Sequence, residues 1–184
     1  MSQYQPVPEI SGCWLIPHFY MEDTRGNFLK FFQRSKMPAP LADLNFHEIF
    51  ITASRKNVIR GMHFQNPPWD LHKLTTAVQG TVLDVIFDMR RHSPTFQQCF
   101  AIQLGEDCPF RSIYIPSGCA HGFLTLSEQA LMCYHTTCEY KPDFDTGIRY
   151  DSIPFSWPVD PGDVIISDKD TALPPWSPER SEFV

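Results

Sequence analysis

The chain has 184 residues, 42% of them hydrophobic and 14% aromatic, with 15 Lys plus Arg against 21 Asp plus Glu. Its formal charge of −6 speaks against non-specific nucleic-acid binding, which rests on cationic surface, while leaving room for a small anion held by a few placed cations. No segment approaches the roughly 20 apolar residues of a membrane helix, and the first residues, MSQYQPVPEISG, lack the basic and apolar stretches of a signal peptide.

The length suits one domain, read here as residues 1–184, with enough chain to close a core without staples. The 17 prolines, close to double the usual share of about 5%, break the chain too often for many long helices. In chain order the strand-like runs are 13–16, 27–32, 46–52, 58–64, 75–87, 100–104, 111–115, 122–126 and 130–139. They are rich in Val, Ile, Phe, Tyr and Thr, which suit a pleated, half-buried surface. From Gly80 to Asp88 the alternation is explicit: Leu83, Val85 and Phe87 share one face, and Val82, Asp84, Ile86 and Asp88 the other. Only residues 36–44 look helical, and Pro38 and Pro40 keep that stretch short. Many short antiparallel strands predict an all-β sandwich, jelly roll or small barrel. The proline-rich end, 170–184, is expected to wrap the surface or a partner subunit.

Six cysteines (Cys13, Cys99, Cys108, Cys119, Cys133 and Cys138) form no CxxC pair. They are expected as reduced thiols packed like small hydrophobes, which places the chain in the cytosol.

Chemistry concentrates in four places. The first is Arg60-Gly61-Met62-His63-Phe64-Gln65, with Lys73 beyond it. Strict alternation puts Arg60 and Met62 on one side and Gly61, His63 and Gln65 on the other. That polar face suits either a solvated surface strand or a ligand-binding barrel lumen. The second place is the turn Pro116–Ala120, which delivers His121 to a strand start. The third is Leu131–Thr137, where Tyr134 shares a face with Met132 and Thr136; a core tyrosine would look the same. The fourth, Ser167-Asp168-Lys169-Asp170, reads by itself as a solvated loop.

Together these residues resemble the dTDP-4-dehydrorhamnose 3,5-epimerase family from about Gly12 to Pro175. The resemblance is carried by Asp23–Phe28, the RGMHFQ segment with Lys73, Gly80–Val85, Asp88–Arg90, Ser93–Phe96, Ile115-Pro116, His121–Phe123, Tyr134, Tyr140 and Trp157-Pro158. It implies an all-β, cupin-like jelly-roll barrel with short flanking helices. It further implies a homodimer that needs neither metal nor other cofactor and acts on a nucleoside-diphosphate 4-keto-6-deoxy sugar. By resemblance His63 would be the base that removes the proton beside the ketone, and Asp170 would orient it. Lys73 would face the oxyanion at the C4 oxygen, and Tyr134 would return a proton to the opposite face. Arg25, Arg60 and His121 would meet phosphate and sugar oxygens, and Phe28 and Tyr140 would offer flat surfaces to the base.

The physics of those residue types agrees. An enolate needs a fixed cation in a dry site, and an imidazole exchanges protons near neutral pH. The chain carries no GxGxxG or Walker-type loop for a redox or nucleotide cofactor. It departs from the family at substrate-binding positions in two places: Lys30 replaces an acid, and Glu48-Ile49-Phe50 replaces a Gln-acid-Asn trio. Three alternatives remain. One is a C3-only or C5-only epimerase on another nucleotide sugar; another is a non-catalytic sugar binder. The third is a metal-dependent cupin, for which His63, His72 and His121 are available without the usual HxH pair.

Overall fold

The computed structural model describes residues 3–39 and 41–183, so Pro40 and Val184 of the stretches above lie outside the described residues. Its strands in chain order are β1 (Gln5–Pro6), β2 (Trp14–Ile16), β3 (Phe19–Asp23), β4 (Gly26–Lys30), β5 (Glu48–Arg55) and β6 (Ile59–Gln65). There follow β7 (Lys73–Gln79), β8 (Thr81–Asp88), β9 (Cys99–Gly105), β10 (Ser112–Ile115), β11 (Cys119–Thr125), β12 (Gln129–Thr136) and β13 (Asp145–Gly147). They form a six-stranded sheet, β1-β2-β10-β7-β12-β5, facing a five-stranded sheet, β13-β6-β11-β8-β9, with β3-β4 as a separate hairpin. All the pairings between these strands are antiparallel. The architecture is the expected all-β jelly roll.

The period-2 patterns explain three apolar layers. Between the sheets, inward residues such as Ala77, Val82, Ile86, Leu104, Ile113, Phe123, Met132 and Tyr134 form the main core. Behind the five-stranded sheet, Met62, Val85, Phe87 and Ala120 are covered by Ile148, Ile153, Trp176 and Phe183 of the C-terminal half. Behind the six-stranded sheet, Ile16, Leu74 and Tyr114 are covered by Met37, Leu41 and Phe46. Val85 and Phe87 thus face opposite to Val82 and Ile86, as the alternation required.

Three readings needed correction. Around the stretch 36–44 the described residues form two 3₁₀ turns, Arg34–Lys36 and Leu41–Asp43, in place of an α-helix, separated around Pro38, whose fixed φ and missing N–H suit a turn boundary better than a helix interior. The run 75–87 is two strands, because Gly80 turns the chain with φ of +73°. The stretch Asp168–Thr171 is a one-turn helix, α1, capped by Ser167, whose hydroxyl accepts from the Asp170 N–H at 3.1 Å. Strands β1, β3 and β13 went unread; two of them have only two or three residues. Among the described residues no helix is long and apolar enough to cross a membrane. All six cysteines are free.

Candidate active site

A cavity of about 340 Å³ opens between the sheets, lined by β5, β6, β7, β11 and β12 and by Tyr140 and Asp145. His63 and His121 enter it side by side, as direct partners across the β6–β11 ladder. Between His121 and Phe123 the register shifts, because Phe123 pairs with Arg60. Three steps along β6 therefore match two along β11, a bulge that breaks the alternation. Arg60 and His63 consequently both face the cavity, while Met62 between them packs outward. The bulge depends on Gly61, which has φ of +121° and would place a Cβ 2.5 Å from the Gly122 Cα.

His63 Nε2 lies 2.8 Å from Asp170 Oδ1 across 107 residues of sequence. Asp170 is almost fully buried on α1, and its other oxygen accepts from the Gly61 N–H at 3.2 Å. Burial alone would raise its pKa. The His63, Gly61 and Ser167 donors outweigh that and hold the carboxyl below the usual range. Asp170 therefore stays ionised at neutral pH. With Nε2 committed to it, Nδ1 is the ring nitrogen of His63 that Asp170 leaves free.

Lys73 stands on the cavity wall, and its Nζ donates to the His63 carbonyl at 3.1 Å. Enclosure of the ammonium pulls its pKa down to about 8, opposed by the charges of Asp145 and Asp84. Tyr134 is buried on β12, and burial pushes its phenol well up, so it keeps its proton. Its ring stacks on Phe50 at 4.7 Å and 11°, and meets His121 edge-on at 6.2 Å. Behind His121, the fully buried Asp84 offers Oδ2 to its Nε2 at 2.9 Å. The cavity thus brings together two His–Asp pairs, the Lys73 ammonium and the phenols of Tyr134 and Tyr140.

Of the residues expected from sequence, His63, Lys73, Tyr134, Glu48, Arg60, His121 and Tyr140 line this cavity, and Asp170 backs it. Glu48 is engaged already: its Oε2 accepts from the Tyr140 N–H at 2.6 Å and ties that loop to β5. The Arg60 guanidinium is aimed by Ser54 Oγ at 2.9 Å and the Ala53 carbonyl at 3.2 Å. Arg25, Phe28 and Lys30 do not line the cavity; they sit on the β3–β4 hairpin. There Arg25 pairs with Asp23 at 2.6 Å, and the Lys30 ammonium lies 5.7 Å from the Phe28 ring. His72 also lies outside, its Nδ1 accepting from the Ser117 N–H at 3.1 Å. Among the described residues no group of three His, Cys, Asp or Glu side chains is arranged to hold a metal.

Sequence reasoning missed Asp84 and Asp145. A carboxylate on the inward face of an apolar strand was a signal for Asp84. The three-residue strand that carries Asp145 gave none.

The profile of the dTDP-4-dehydrorhamnose 3,5-epimerase family matches residues 8–177. The chain is 37% identical to the dTDP-4-dehydrorhamnose 3,5-epimerase of Escherichia coli K12 over 168 residues, 90% of each chain. It is 30% identical to the dTDP-4-dehydrorhamnose 3-epimerase of Streptomyces niveus over 164 residues, 88% of this chain and 78% of that one. Among solved structures, the dTDP-4-dehydrorhamnose 3,5-epimerase of Elizabethkingia anophelis superposes with a TM-score of 0.85 at 29% identity, covering 97% of this chain and 98% of the other.

Proposed function

The chain belongs to the dTDP-4-dehydrorhamnose 3,5-epimerase family, and from that we propose that its central cavity performs the epimerisation with His63 as base. It is an isomerase of deoxysugar biosynthesis, acting on a nucleoside-diphosphate 4-keto-6-deoxy sugar of the dTDP type beside the C4 ketone. The observation that carries the assignment of roles is the 2.8 Å His63–Asp170 pair facing Lys73 and Tyr134 in one cavity.

The steps follow from charge. Nδ1 of His63 takes the proton from the carbon beside the ketone, and the bond's electrons move onto the C4 oxygen. The Asp170 carboxylate stabilises the imidazolium that forms. The Lys73 ammonium meets the new oxyanion in a site where water is scarce. Tyr134 then donates its phenolic proton to the carbon from the opposite face, which inverts the centre. Solvent exchange returns both groups to their starting states. Arg60, His121 and Tyr140 border the same space and supply phosphate, hydroxyl and stacking contacts to the nucleotide sugar.

Arg25, Phe28 and Lys30 have a place in this scheme through a homodimer. The hairpin that carries them exposes Phe19, Tyr20, Met21 and Phe28, and β5 at the cavity mouth ends its sheet with Ile49 and Ile51 exposed. A second copy would cover both surfaces and bring its hairpin toward the cavity. We read residues 1–184 as one epimerase domain, and place it in the cytosol, where six free thiols stay reduced.

The test is incubation of the dTDP-4-keto-6-deoxy sugar with the protein in D₂O, read by NMR. Deuterium enters at C3, C5 or both, and His63→Ala abolishes the exchange while nucleotide binding remains. Exchange that survives in His63→Ala removes His63 from the base role. One observation favours a single-centre reaction: Phe50 stands where the family carries an amide, and holds the Tyr134 ring flat against it. Deuterium at one carbon alone is the outcome that reading expects.

A further inference from the structure

Among the described residues Lys73 makes one hydrogen bond, to the neutral His63 carbonyl, and a carbonyl compensates little of the cost of enclosing an ammonium. The ionisable groups that act on its charge are Asp145 from β13, Asp84 from β8 and Cys119 from β11, and β13 is brought alongside by its pairing with β6, where Gly147 lies opposite the same His63. Cys119 contributes no charge, because burial raises its thiol far above neutral pH. Asp84 is fully buried and engaged with His121 at 2.9 Å. Asp145 differs from both. It lines the same cavity as Lys73, and on its other side its Oδ2 lies 2.7 Å from the Lys169 ammonium. The Asp145 side chain is 18% exposed and the Lys169 side chain 59%, so one carboxylate stands between an enclosed ammonium and a wet one.

We propose that Asp145 is a positioning residue that keeps Lys73 protonated for the oxyanion, and that Lys169 weakens this support by sharing the same carboxylate. The inference rests on the epimerase reading and assigns a function to two residues that the resemblance left without one. The geometry also explains why the sharing matters. Lys169 precedes Asp170 on α1, so the contact between α1 and β13 ties the element that orients the base to the carboxylate that supports the ammonium. A lysine with an ordinary pKa would ignore such a neighbour at working pH. One held at about 8 responds to a shift in either direction.

The ammonium form is the active one, so kcat/KM falls as pH rises through the pKa of Lys73 in the free enzyme. The experiment is the pH profile of kcat/KM for the wild-type protein, Asp145→Asn, Asp145→Glu and Lys169→Met. In Asp145→Asn the alkaline limb moves to lower pH by about one unit or more, the size expected for losing an opposite charge nearby. In Asp145→Glu it returns toward the wild-type position. Lys169→Met, an exposed change that threatens no packing, moves the limb to higher pH by a few tenths of a unit. If Asp145→Asn fails to fold, the Glu and Met variants still carry the test through their limb positions. Limbs that superimpose on the wild type, or an Asp145→Asn loss that is uniform across pH, overturn the proposal. A wild-type protein with no proton exchange at any pH would instead sink the epimerase reading on which it stands.

Discussion

At the scale of single residues, the His63 ring depends on Asp170 for its tautomer. An amide at 170 would keep the shape of the side chain and lose its charge. Its NH₂ could then face Nε2 and leave the wrong nitrogen protonated. Asp170→Asn is therefore expected to lower kcat by on the order of 10²–10⁴ with little change in KM. Steady-state rates settle it, and a change confined to KM would move Asp170 to substrate binding. His63 and Tyr134 were legible as residues on one face of a period-2 strand, whereas Lys73 lay just before the strand read as 75–87 and came from the family resemblance. Asp170 was not legible either, since SDKD reads as a solvated loop, and only the family resemblance pointed to it. What buries Asp170 is the α1 turn closing on β6, and no local pattern encodes that approach.

At the scale of elements, the site hangs on the bulge in β6. Sequence alternation put Arg60 opposite His63, and the bulge brings both to the cavity. The signal was present in Gly61, but a glycine in a strand marks a close approach without saying which side chains it re-aims. Gly61→Ala combines a left-handed φ with a Cβ 2.5 Å from the Gly122 Cα and 2.7 Å from the His121 carbonyl oxygen. Backbone cannot yield there as a flexible side chain would. The cost is expected at about 2–5 kcal/mol, seen as a lower Tm in a thermal melt. The two histidines should also separate, so a variant with wild-type Tm and wild-type turnover would show that the crossing is looser than drawn. The strands themselves were largely readable, with ends displaced by a few residues. Of the unread ones, β1 and β13 have two and three residues and carry no period, while the five-residue β3 is exposed along its whole length and shows no apolar face.

At the scale of the whole molecule, the two-sheet architecture followed from the density of short apolar runs, and its three apolar layers from their alternation. What the pattern could not convey is which edge stays open. In β5, Glu48, Phe50 and Thr52 face the cavity, while Ile49 and Ile51 are 62% and 63% exposed on the other side. A second copy of the chain is the occupant proposed above. The double variant Ile49→Lys, Ile51→Lys is expected to sediment as a monomer, against the dimer expected of the wild type. A wild type that sediments only as a species of about 21 kDa would refute the dimer. The same strand has a history before assembly. Its partner in the sheet, among the described residues, is β12, which is 74 residues further along at the near end of the ladder, Arg55 with Gln129. During synthesis at roughly 5–20 residues per second, β5 leaves the ribosome on the order of ten seconds before that partner exists. For that interval the strand that later frames the catalytic cavity is an unpaired apolar ribbon. Its sequence must therefore satisfy the nascent chain's need to stay unaggregated as well as the enzyme's need for an edge.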